Sequence, residues 1–111
     1  MSESELALKK CIPCRGDIPP MPIEEARRLL SQLQGWALND KGHLEKSYAF
    51  KGFRPGLEFV KRVGEMAEEQ GHHPDVFLAW GKVTLEVWTH KISGLAESDF
   101  IFAAKADALL G

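Results

Sequence analysis

Four histidines occur in the chain, and three of them fall at positions where the surrounding sequence changes character. His72 and His73 follow Gly71 directly, and His90 ends a run of alternating apolar and polar residues. Glu68 stands four residues before His72, one turn away on the same face if the segment is helical. A carboxylate there could hold an imidazole in one tautomer. Imidazoles titrate near neutral pH and serve as general acid or general base, each role typically contributing about 100- to 10,000-fold. A pair of them suits a reaction in which one group must gain a proton while its neighbour loses one.

Blander readings compete. Adjacent histidines often belong to a solvated loop, and perturbed chemistry cannot be assumed from adjacency. A zinc site is disfavoured, because neighbouring histidines rarely turn both rings to one ion and the spaced His-x3-5-His pattern is absent. No metal is therefore expected. Cys11-x-x-Cys14 could be half of a zinc site shared between subunits, a redox pair, or two thiols of a tail. With no second CxxC, the tail reading is favoured.

At 111 residues the chain suits one domain. Its hydrophobic fraction of 44%, charged fraction of 27% and formal net charge of -2 are those of an ordinary globular protein without a basic footprint for nucleic acid. No apolar run approaches the roughly 18 residues of a membrane span. The first ten residues have no apolar signal-peptide core, so a cytoplasmic location is expected.

Residues 1–20 read as an N-terminal extension carrying the CxxC pair, without sustained periodicity, and residues 21–111 as a single domain. Ile23, Ala26, Leu29, Leu30 and Leu33 recur at helical spacing, with Pro22 before them and Gly35 as a stop. Residues 36–39 and 43–50 read as two strands joined around Asp40, Lys41 and Gly42, with Lys46 interrupting the apolar face. A second helix is predicted from about Pro55 to Gly71, burying Phe59, Val60, Val63, Met66 and Ala67. Residues 75–80 and 83–90 form a predicted hairpin around Gly81 and Lys82. A last helix follows over 97–110, burying Phe102, Ala103, Ala106, Leu109 and Leu110. The order α-β-β-α-β-β-α implies an α+β domain: antiparallel hairpins in a four-stranded sheet, covered by three helices.

The combination Glu68-x-x-x-His72-His73-Pro74, Trp80, Thr89-His90, Gly94-Leu95 and Asp99 is similar to the signature of the pterin-4a-carbinolamine dehydratases. Resemblance extends through Gly35-Trp36 over residues 23–110, and the extension with Arg15 and Asp17 is similar to tails of bacterial members. It implies an antiparallel sheet with helices on one face, and assembly as a homodimer or homotetramer. The implied reaction converts 4a-hydroxytetrahydrobiopterin to quinonoid dihydrobiopterin and water, recycling the pterin cofactor of aromatic amino acid hydroxylases. The step itself requires no cofactor. His72 and His90 would be the acid/base pair, with His73 binding pterin and assisting catalysis. Gly71, His72, His73, Trp88, Thr89, His90 and Lys91 would line the substrate pocket. Glu68 and Asp99 would orient the histidines, although Asp99 reads equally well as a first-turn acid facing the helix dipole.

Two departures stand out. Gly71 occupies a place that is often acidic in relatives, and Ala96 one where they commonly offer Ser or Thr as a helix cap. Of the remaining aromatics, Trp36 and Trp80 read as packing residues, whereas Trp88 shares a strand face with His90. His43, isolated at a strand start, is expected to face solvent. Mammalian relatives also act as a dimerisation cofactor for a homeodomain transcription factor, so a protein-binding module is the rival reading.

Overall fold

The strand predicted to end at His90 stops at Val87, with His90 in a separate turn, and it sets the architecture. In the computed structural model, which describes residues 5–9, 11, 19 and 21–110, β4 (Lys82–Val87) buries Val83, Leu85 and Val87 completely and leaves Thr84 and Glu86 on the opposite face. Strand β2 (Leu44–Ala49) pairs with it antiparallel, Leu44 opposite Val87 and Tyr48 opposite Val83, so the two apolar faces coincide. Strands β1 (Ala37–Leu38) and β3 (Asp75–Ala79) add antiparallel at the two edges, giving the order β1-β2-β4-β3. The fold is the expected α+β one.

Helices cover only the apolar face. Helix α3 (Arg54–Gln70) starts with a proline in its first turn and buries Phe59, Val63, Met66 and Ala67. It lies close to the sheet at Gly56, where a Cβ would come within 3.2 Å of Leu78 Cδ1 and 3.3 Å of Val83 Cγ2. Helix α4 (Glu97–Ala108) buries Ser98 through Ala104 without a break, because it is sandwiched between the sheet and the N-terminal helix α1 (Glu5–Leu8). Helix α2 (Ile23–Leu30) contributes Ala26 and Leu29 to the core.

Several expectations change in detail. The segment read as an extension sends Leu6 and Ala7 into the core, and Lys105 Nζ donates to the Ala7 carbonyl at 2.8 Å. One turn of helix is too short to show a period, which is why the pattern was not visible. Cys14 lies outside the described residues. Ile23 is exposed and α2 stops at Leu30, well short of Gly35. Leu110 is exposed because α4 ends at Ala108.

Lys46 does face the core side, and it is accommodated there by charge. Its Nζ lies 2.9 Å from Asp107 Oδ1 and donates to the Gln34 carbonyl at 2.8 Å. Asp107 also accepts from the Tyr48 hydroxyl at 2.6 Å and from Trp36 Nε1 at 3.0 Å. Among the described residues no helix is long and apolar enough to cross a membrane.

Candidate active site

Helix α3 ends in a way that fixes the direction of the histidine pair. Gly71 adopts φ 64° and ψ 29°, the left-handed conformation. Its N–H bonds the Glu68 carbonyl at 3.4 Å and the His72 N–H bonds the Ala67 carbonyl at 3.2 Å, the paired bonds of a Schellman stop. This reversal turns His72 inward and His73 outward.

His72 reaches Asp99, not Glu68. Its Nε2 donates to Asp99 Oδ1 at 2.6 Å, and only 12% of the His72 side chain is exposed. The Asp99 side chain is wholly buried, and its other oxygen accepts from Thr89 Oγ1 at 2.8 Å and from the Ala96 N–H at 2.8 Å. Three donors aimed at two oxygens suit an ionised carboxylate. Asp99 is thus both a helix-start acceptor and the group that orients His72. Ala96 offers no side-chain cap, and the Asp99 carboxylate takes up its N–H instead.

Glu68 pairs with His73 at 2.5 Å, on the surface. The expected four-residue relation to His72 fails because the helix has ended before that residue. After the left-handed turn, position 73 returns beside Glu68. Such an exposed pair adds little stability.

The second segment begins where β4 leaves the sheet. Thr89 bridges Gly94, donating its N–H to the Gly94 carbonyl at 2.8 Å, and the loop between them is a 3₁₀ turn, His90–Ile92. Ser93 closes it at φ 50°. Thr89 faces inward to Asp99. His90 and Lys91 are exposed on the turn, and the His90 ring sits 4.1 Å from the Trp88 ring at 71°.

Asp99 therefore joins the two predicted segments. It binds His72 directly and Thr89, the chain neighbour of His90, through its second oxygen. Among the described residues, no hydrogen bond or ring contact links His90 to His72 or His73. The arrangement leaves His72 Nδ1 and both His90 nitrogens without a described bond, which suits proton exchange with a bound molecule. No group of three or more His, Cys, Asp or Glu among the described residues is disposed to hold a metal ion.

His43 does not face solvent as expected. Its side chain is 13% exposed, and its Nδ1 donates to Glu86 Oε2 at 2.6 Å. Its ring stacks on Trp88 at 4.0 Å and 2°. The β2–β4 register puts position 43 beside position 88, since Leu44 is opposite Val87. Pairing between strands of different hairpins was the missing signal. The hydrogen bond from His43, followed by one from Asn39, holds the Glu86 carboxyl below its ordinary value.

Comparison with known proteins bears on what such a site does. Residues 19–109 match the family described as Pterin 4 alpha carbinolamine dehydratase. A Rubrobacter xylanophilus protein, provisionally named pterin-4-alpha-carbinolamine dehydratase, is 57% identical over 106 residues, covering 96% of this chain and 99% of its own length. A provisionally named Rickettsia bellii counterpart is 50% identical over 105 residues, covering 94% and 93%. Among solved structures, a Brucella melitensis protein titled transcriptional coactivator/pterin dehydratase superposes with a TM-score of 0.79 at 30% identity. It covers 83% of this chain and 99% of that one.

Proposed function

Since the chain belongs to the pterin-4a-carbinolamine dehydratase family, we propose that it removes water from 4a-hydroxytetrahydrobiopterin to give quinonoid dihydrobiopterin. One observation carries the reading of the site: buried Asp99 binds His72 Nε2 and, through its second oxygen, Thr89, which precedes His90 in the segment after β4.

The bond to Asp99 commits Nε2 and leaves His72 Nδ1 for the substrate. His72 and His90 share two transfers. One imidazole, as its cation, gives a proton to the 4a-hydroxyl, and the C4a–O bond breaks as water departs. The N5 lone pair forms the C4a=N5 double bond while the second imidazole takes the N5 proton. The acid has lost one proton and the base gained one, and exchange with solvent restores both. His73, exposed and paired to Glu68, binds the pterin and assists catalysis. Gly71, Trp88, Thr89 and Lys91 complete the pocket wall.

The product belongs to the recycling of the pterin used by aromatic amino acid hydroxylases. Self-association as a homodimer or homotetramer is supported by the free edge of β3, along which Val76, Phe77 and nearby Trp80 are exposed. Light scattering on the purified protein tests it. Those same side chains favour the rival scaffolding reading, in which association with a partner is the function.

A dehydratase assay with a 4a-hydroxytetrahydropterin decides between the readings. Activity should be present and fall roughly 100-fold or more in His72→Ala and in His90→Ala, with circular dichroism unchanged. Full turnover in both variants would overturn the assignment of roles.

A further inference from the structure

His90 enters the reading above as an acid or base, yet among the described residues no hydrogen bond to its ring is seen, and only its carbonyl accepts one, from the Ser93 N–H at 3.1 Å. The ring contact that the structure gives it is with Trp88. Trp88 is in turn pressed parallel against His43, and His43 is anchored to Glu86 at 2.6 Å. Asn39 ties this anchor into the β1–β2 turn. Its Nδ2 donates to Glu86 Oε2 at 2.9 Å and to Glu45 Oε1 at 3.0 Å, and its Oδ1 accepts the His43 N–H at 3.0 Å. A chain of fixed groups therefore runs from a carboxylate on β4, through one imidazole and one indole, to a second imidazole.

We infer that His43 is a positioning residue for His90, acting through the indole of Trp88. A stacked ring at 4.0 Å and 2° holds the plane of the indole. His90 packs against that indole, so its own ring direction follows. Catalytic groups need such support, because a misplacement of about 1 Å can cost on the order of 100-fold in rate. The inference rests on the dehydratase reading for its catalytic consequence, but the ring geometry can be read without it.

The test combines turnover with NMR of the imidazole ring protons. His43→Ala should lower kcat roughly 10- to 100-fold with little change in KM, the mark of a displaced group that does not itself hold substrate. His43→Phe keeps a flat ring on the indole and should recover most of the rate. In a His90→Ala background, adding His43→Ala should cost nothing more. The His90 ring protons should lose the ring-current shift that the indole gives them in His43→Ala and keep it in His43→Phe. Unchanged His90 shifts in His43→Ala would overturn the inference, as would an equal loss of rate with and without His90. A wild-type protein that lacks dehydratase activity but shows the shift change would instead sink the dehydratase reading and support the positioning contact.

Discussion

His72 and Asp99 lie 27 positions apart and share a 2.6 Å hydrogen bond whose carboxylate end is wholly buried. Because Thr89 and the Ala96 N–H occupy the other oxygen, Asp99→Asn cannot accept from all three donors while His72 keeps its proton on Nε2. With the amide oxygen kept on the Ala96 N–H, its NH2 would face His72 Nε2 and force the proton onto Nδ1. Turnover should fall roughly 100-fold or more through this wrong tautomer. Thermal stability should drop by about 1–3 kcal/mol, since charge-assisted bonds are lost in a buried place. A variant with wild-type kcat would remove Asp99 from the orientation of His72.

Gly71 directs both neighbouring histidines. A Cβ there would meet nothing within 4 Å, so the cost of Gly71→Ala is conformational, arising from φ 64°. The expected loss is about 1–2 kcal/mol in chemical denaturation. Asn tolerates the left-handed region better, and Gly71→Asn should cost less than Gly71→Ala. Equal stability in all three proteins would show that the stop does not depend on this conformation.

Helix α3, the two hairpins and the stop at Gly71 were legible because each is a local pattern of period or turn chemistry. Asp99 was legible only as a position, with the dipole and orienting roles unresolved, since choosing between them requires knowing what α4 packs against. Glu68 was assigned to the wrong histidine because helical spacing was carried two residues past the helix end at Gln70. The place of His43 was hidden for a deeper reason. Its neighbours Glu86 and Trp88 come from the other hairpin, and the order β1-β2-β4-β3 that joins the hairpins leaves no mark in local periodicity. Leu6 and Ala7 were missed because a four-residue helix gains its stability from α4, not from its own sequence.

Asp107 should matter for stability and not for chemistry. It accepts from Trp36 Nε1, Lys46 Nζ and the Tyr48 hydroxyl, tying β2 to the end of α4. Burial, with the adjacent Asp107 carboxylate adding to it, pushes the Tyr48 phenol well above its ordinary value. Asp107→Ala should strand a half-buried ammonium and a buried hydroxyl, costing about 2–4 kcal/mol by thermal unfolding. The kcat of the folded variant should stay within about twofold of wild type, because additivity holds between separate sites. A large loss of kcat in a well-folded variant would connect this cluster to the reaction.

Cys11 should behave as a protected thiol. Its Sγ lies 3.5 Å from the Ser98 carbonyl, and its N–H bonds Gln70 Oε1 at 2.9 Å. Burial pushes the thiol from 9.0 up to about 11, with Lys105 opposing the shift. The thiolate is the reactive form, so iodoacetamide should alkylate this cysteine slowly near neutral pH and faster as pH rises toward 11. Measured in a Cys14→Ser background, Lys105→Met should slow the reaction further, because the neighbouring cation that favours thiolate is gone. The sign for stability follows from the same shift. Below pH 9 both folded and unfolded chains keep the proton, whereas between 9 and 11 the unfolded chain loses it first. Folding stability should therefore decline across that window, and less steeply in Cys11→Ala. Rapid alkylation of the folded protein at pH 8, at the rate of a free thiol, would contradict the burial of this side chain against α4.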